Sequence, residues 1–160
     1  DPAGIARAAD AEDALARIFK AQALFASRGD DSGTHKREVA LWSGTGLNPT
    51  QHSGQWYRET GSGMGATLNI GIGMGAYVLT DRSTWVSFAN KQDFEILVSG
   101  GDDLLNQYGV IPVNPEKCPS VNADVADVFV DWLLSERGQD AIASFEVADQ
   151  QLFFPNAPRD

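Results

Sequence analysis

The chain has 160 residues, enough for one full domain or for one lobe and part of another. Hydrophobic residues make up 42% and charged residues 21%, ordinary for a globular protein, and no apolar run approaches the ~20 residues of a membrane-spanning helix. With 22 acidic against 12 basic side chains the formal net charge is −10, which repels DNA, RNA and anionic lipid at long range. A small anion is not excluded: it answers to the few groups that touch it, because distant charges are screened over ~8–10 Å.

Asp10 through Ala21 predicts a helix, with Asp10 as its cap and Ala11, Leu15, Ile18 and Phe19 on an apolar stripe. Residues 23–27 (ALFAS) read as a short buried strand, followed by the turn Arg28-Gly29-Asp30-Asp31-Ser32-Gly33-Thr34 and a helix from about His35 to Trp42. Residues 43–54, rich in Gly, Ser, Thr, Asn and Pro, read as a loop. Gly61 to Gly65 opens a third helix reaching about Ile72, then a strand over 76–79 and a short helix over 81–89 capped by Asp81 or Ser83. Residues 94–98 and 110–113 are predicted strands. Beyond Pro115 a helix begins at Asn122 with Val125, Val128, Phe129, Trp132 and Leu133 on one face, and a last helix follows Ser135 from Glu136 to Phe145. The tail 152–155 (LFFP) is apolar enough to be docked. Alternating helices and strands predict an α/β sheet with helix-covered faces.

The single cysteine, Cys118, cannot form an internal disulfide and belongs to no zinc pattern. The start at Asp1-Pro2, with neither methionine nor signal peptide, reads as a processed or trimmed form.

Two segments could carry chemistry. At Ser27–His35 a strand ends and a helix begins, and the unpaired N–H groups and positive dipole end there favour an anion. Ser32 and Thr34 add hydroxyl donors, Gly33 allows close approach and Arg28 supplies a positive fork, although the same residues also read as a capped helix beside a surface arginine. Gly63-Met64-Gly65 repeats the pattern; taken alone, its glycines read as tight packing. Neither it nor the 71–75 stretch (GIGMG) has dinucleotide-fingerprint spacing, and no phosphate loop ending in Gly-Lys-Ser/Thr is present. Ser32 with His35 lacks the separated third member of a catalytic triad. Arg28-Gly29-Asp30 matches a cell-adhesion tripeptide but sits between a buried strand and a helix. Asp30 and Asp31 read as cap and dipole partners rather than metal ligands.

Together, FASRGDDSGTHKREVALW, WYRETGSGMGATLNI, AYVLTDRSTW, LLNQYGVIPVNPEK, VNADVADVFVDWLLSERGQDAI and LFFPNA resemble the substrate-binding protein of the bacterial tungstate ABC transporter, a relative of molybdate-binding proteins. The resemblance covers most of the chain and keeps the family's segment order. It implies a non-enzymatic, periplasmic-binding-protein-like α/β lobe, three-layered, with helices on both faces of a mixed sheet. It further implies a two-lobed clamp around tungstate or molybdate with no cofactor and no cation, exported to the periplasm or exterior, and a transporter permease as partner. The expected ligand-binding residues are Arg28, Ser32, Gly33, Thr34, Gly63, Met64 and Gly65, with Arg82 a weaker candidate. Residues 1–108 are expected to form the second lobe with half the site, and 109–160 a return strand and C-terminal helices of the first lobe. The family's Thr/Ser-rich opening segment does not precede Asp1, so a homodimer or a separate N-terminal segment is expected to cover the apolar surface left behind. Ser83 stands where the family usually has glycine, 71–75 is richer in glycine, and Cys118 stands where histidine is common; these departures leave the identity of the oxyanion open. Rival readings are a hydrolase using Ser32 and His35, and a truncated relative acting as an interaction module.

Overall fold

The computed structural model describes residues 1–158 and divides them into two compact units, Asp1–Leu105 and a second from Asn106 onward. In the first unit, α1 (Ala11–Ala21) starts where Asp10 accepts a hydrogen bond from the Asp13 amide. β1 (Phe25–Ser27), α2 (Gly33–Gly44), β2 (Tyr57–Glu59), α3 (Met64–Met74), β3 (Tyr77–Val78) and α4 (Arg82–Ser87) follow. The three strands form one sheet in the order β2-β1-β3, parallel throughout, with Phe25 opposite Tyr57 and Tyr77, and Ala26 opposite Arg58 and Val78. The mixed sheet expected from sequence is therefore parallel here.

That register sorts the two faces. Phe25, Tyr57 and Tyr77 point toward α1 and α2, where Ala11, Ala14, Leu15, Ile18, Leu41, Trp42 and Trp56 complete the core. The Phe25 and Tyr57 rings stack at 5.9 Å, and Trp42 meets Phe25 edge-on at 5.7 Å. Ala26 and Val78 point the other way, toward α3, which Gly71 lets approach so closely that an added Cβ would lie 2.3 Å from Val78 Cγ2. Helices thus cover opposite faces, as right-handed crossovers require when β1 connects to one neighbour and β2 crosses to the other edge.

The second unit contains α5 (Ala123–Leu134), α6 (Glu136–Ala143) and an antiparallel hairpin of β4 (Glu146–Val147) and β5 (Gln150–Gln151). Ser135 caps α6 by accepting from the Gly138 amide. The tail is docked by Phe153 against Tyr108 and Phe145, and by the Ala157 amide donating to Gln139.

Several sequence expectations change. Residues 94–98 and 110–113 are not strands: no neighbouring strand pairs with them among the described residues, and Ile111 is 88% exposed. β-branched composition favours an extended chain but cannot supply the partner a ladder needs. α2 begins at Gly33, two residues early, because Ser32 caps it by accepting from the His35 amide. α6 ends at Ala143, and β2 and the 146–151 hairpin are additional elements.

Candidate functional site

β1 and β2 are adjacent and parallel, so the turns leaving them emerge at the same edge of the sheet, the carboxyl edge. The first turn leads to α2 on one face and the second to α3 on the other. In open parallel sheets such a divergence opens a crevice outside the strand ends, the usual position for a ligand. Backbone bonds lace the turns together: the Thr60 amide donates to the Ser27 carbonyl at 2.9 Å and the Ser62 amide to the Arg28 carbonyl at 3.3 Å. Gly29, at φ +59°, packs against Glu59 of β2, where a side chain would have no room.

The two helix entrances differ in how they are capped. At α2, Ser32 Oγ accepts from the His35 amide at 3.3 Å, while among the described residues the Gly33 and Thr34 amides and the Thr34 hydroxyl have no protein partner. At α3, Gly63 provides no side-chain cap, and among the described residues the Met64, Gly65 and Ala66 amides have no partner before Thr67 donates to the Gly63 carbonyl. Gly33 and Gly63 are exposed, and Met64 is buried. Each end carries positive potential from unpaired N–H groups and the helix dipole.

Arg28 is joined through Asp30 to Ser32, the cap of α2, so its side chain is engaged. Nε and Nη2 donate to Asp30 Oδ2 at 3.2 and 2.5 Å. Asp30 Oδ1 accepts from the Ser32 amide at 3.2 Å and hydroxyl at 2.6 Å. The Ser32 hydroxyl bond, with that of Arg28, holds the Asp30 carboxyl at about 2 against partial burial. His35 does not serve Ser32 as a base: its Nδ1 accepts from the Asp31 amide at 3.0 Å, and the Ser32 proton goes to Asp30. The hydrolase reading therefore finds no nucleophile–base pair. The Arg28–Asp30 pair also closes the adhesion-like tripeptide on itself.

Arg82 begins α4 after β3, with its side chain exposed. That entrance is filled by Asp81, which accepts from the Thr84 amide at 2.7 Å, the Ser83 hydroxyl at 2.6 Å and the Thr84 hydroxyl at 2.7 Å. Burial acts upward on the Asp81 carboxyl, but these donors outweigh it and hold its pKa below the usual range. A shallow depression on α4 and its C-terminal end is lined by Ser83, Thr84, Ser87 and Phe88.

Behind the crevice is a group that local sequence does not single out. Glu38 of α2 is 2% exposed and accepts from the Tyr57 hydroxyl at 2.7 Å. Burial raises its pKa, and the Ser27 hydroxyl and Trp42 indole N–H nearby are buried without a well-formed hydrogen bond. Its only sequence signal is an acid spaced three and four residues from Leu41 and Trp42, on the apolar side of the helix.

A model of the PBP superfamily domain matches residues 1–137. The chain belongs to the PBP superfamily. Its PBP fold superposes with a TM-score of 0.84 on a solved tungstate-binding protein from Desulfovibrio alaskensis, 42% identical over 99% of this chain and 64% of that one. A Haloferax volcanii protein named for anion binding in an ABC transporter is 48% identical, covering 98% of this chain and 46% of its own length. A tungstate-binding protein of Peptoclostridium acidaminophilum is 43% identical, covering 91% and 51%. This PBP chain thus spans about half the length of the curated relatives it matches.

Proposed function

We propose that this chain is the larger part of a two-lobed binding protein, not an enzyme, that carries a tetrahedral oxyanion, tungstate or molybdate, to an ABC transporter permease. The observation that carries this reading is two helix entrances with unpaired amides, after adjacent parallel strands, beside Arg28. A dianion in that crevice would meet Arg28, the amides of Gly33, Thr34, Met64 and Gly65, and the Thr34 hydroxyl, with Gly63 allowing close approach. Ser32 borders the same space, and Arg82 stands one strand over. Both kinds of donor are suited to oxyanions: oriented N–H dipoles and a planar guanidinium. Kinship with tungstate-binding proteins supports the ligand class.

In this reading the first unit is one wall of the clamp, the second belongs to the opposite lobe, and the protein works outside the cytoplasmic membrane. No helix among the described residues is long and apolar enough to cross a membrane. The apolar face of α5 is then covered by further sheet, supplied by a separate segment or by a second copy. The test is calorimetric titration with sodium tungstate, molybdate and sulfate. Saturable binding of tungstate or molybdate, abolished by alanine at Thr34 together with Arg28, supports the reading; no binding of any of the three, in a protein that includes both lobes, overturns it.

A further inference from the structure

Resting on the oxyanion reading, the geometry points to Asp30 as the residue that positions the site's donors. One carboxylate holds two candidate ligand groups at once, Arg28 through Oδ2 and Ser32 through Oδ1. Because Nε and Nη2 are the nitrogens engaged, Asp30 takes the side-on edge of the guanidinium. Among the described residues the end-on edge, Nη1 with the outer hydrogen of Nη2, has no partner; it remains for a second anion, and its direction is fixed by the first. Guanidinium and carboxylate side chains are 16% and 21% exposed, so the pair is well confined.

The same carboxylate changes what Ser32 can do. A serine has one hydroxyl hydrogen; here it goes to Asp30, and the oxygen accepts from the His35 amide. Ser32 has nothing left to donate, so hydroxyl donation to the ligand falls to Thr34. The net charge of the Arg28–Asp30 pair is zero, which leaves the dianion held by oriented dipoles and a pre-aimed guanidinium rather than by uncompensated charge. That arrangement suits a carrier that must release its cargo. Asp30 is ionised throughout the neutral range, so the arrangement does not depend on ambient pH.

The test uses the wild-type protein, Asp30→Asn and, as a charge-matched control, Asp31→Asn, whose carboxylate is 86% exposed and faces Lys36. Hydrogen exchange of the Arg28 Nε–H reads the pairing without ligand: slow in wild type and fast in D30N. Titration with sodium tungstate reads the site, with Kd raised about tenfold or more in D30N and within about threefold of wild type in D31N. Unchanged or tighter binding in D30N overturns the proposal, tighter binding meaning that Asp30 competes with the ligand. A tenfold loss in folded D31N overturns it as well, by making the loss of any carboxylate in this turn sufficient. No tungstate or molybdate binding by wild type in a two-lobed protein brings down the oxyanion reading, and the positioning role with it, whatever the exchange shows.

Discussion

Local sequence makes Arg28 a cation at a helix entrance; the fold adds that Asp30 occupies two of its five N–H donors, and this reshapes the expected effect of mutation. Arg28→Gln removes a charge-assisted contact, so oxyanion affinity in a two-lobed protein should fall by about 1.5–3 kcal/mol in calorimetry. From sequence alone the change should leave folding intact, but losing Arg28 also strips Asp30 of a partner, so a lowered melting temperature is expected too. Glu38 yields a second prediction with a definite sign. Burial raises its folded pKa, so between the ordinary value of 4.5 and the folded one the native state holds a proton the unfolded chain has lost. Its contribution is fully present below 4.5 and is lost as pH rises through the folded value, at up to about 1.4 kcal/mol per pH unit. Glu38→Gln keeps an acceptor for Tyr57 without the ionisation, so the stability difference between wild type and E38Q in urea unfolding should shift toward E38Q from pH 5 to pH 8. A difference that stays flat with pH would show Glu38 remaining in one protonation state. Arg28 was visible in the sequence because a turn motif surrounds it. Glu38 was not, because one acid in a charged helix shows its burial only once β2 is placed against α2.

Capping and periodicity were legible wherever the signal is local: Asp10, Asp81, Asn122 and Ser135 each cap the helix they precede. Pairing was not, since a strand is defined by its neighbour; three-residue β2 carries no local strand signal, while residues 110–113, richer in β-branched side chains, pair with nothing described. Close approach of elements was equally hidden. The glycines at 71–75 read as an oddity in sequence, yet Gly71 is where α3 touches the sheet, and Gly138 is where α6 turns back on α5. A Cβ at Gly138 would lie 2.1 Å from the Trp132 carbonyl oxygen and 2.8 Å from that of Leu133. At Gly71 the obstruction is the side-chain methyl of Val78, which can rotate. Gly138→Ala should therefore cost more than Gly71→Ala, since backbone cannot yield as a rotamer can: about 2–3 kcal/mol against about 1 kcal/mol. Because the sites lie in different units, unfolding should be followed by probes in each, Trp132 fluorescence for the second and Trp42 or Trp56 for the first. Equal losses at the two positions would contradict the contact geometry.

The fold class and its kinship were readable across the whole chain because a run such as Ser27–His35 encodes strand end, turn and helix cap together. What covers the second unit was readable only as a question. Val125, Val128, Phe129 and Trp132 lie 61, 69, 54 and 42% exposed on α5, with the Phe129 and Trp132 rings stacked at 6.1 Å. Single exposed apolar side chains are ordinary, but a contiguous aromatic and β-branched stripe of this kind usually marks an interaction surface. Water loses little by leaving such a stripe and the net charge of −10 opposes association only over a screened distance, so at physiological ionic strength burial should win. The 160-residue chain is therefore expected to self-associate at micromolar concentration, seen in sedimentation velocity as a mass that rises with protein and with salt. Val128→Asp with Phe129→Asp should return it to monomer without unfolding it, since neither side chain is part of the buried core. Addition of a polypeptide carrying the first lobe's sheet should likewise dissolve the self-association by competing for the same face. A strictly monomeric wild-type chain across that range of salt and concentration would mean that α5 needs no cover, and would remove the main support for further sheet packed on that face.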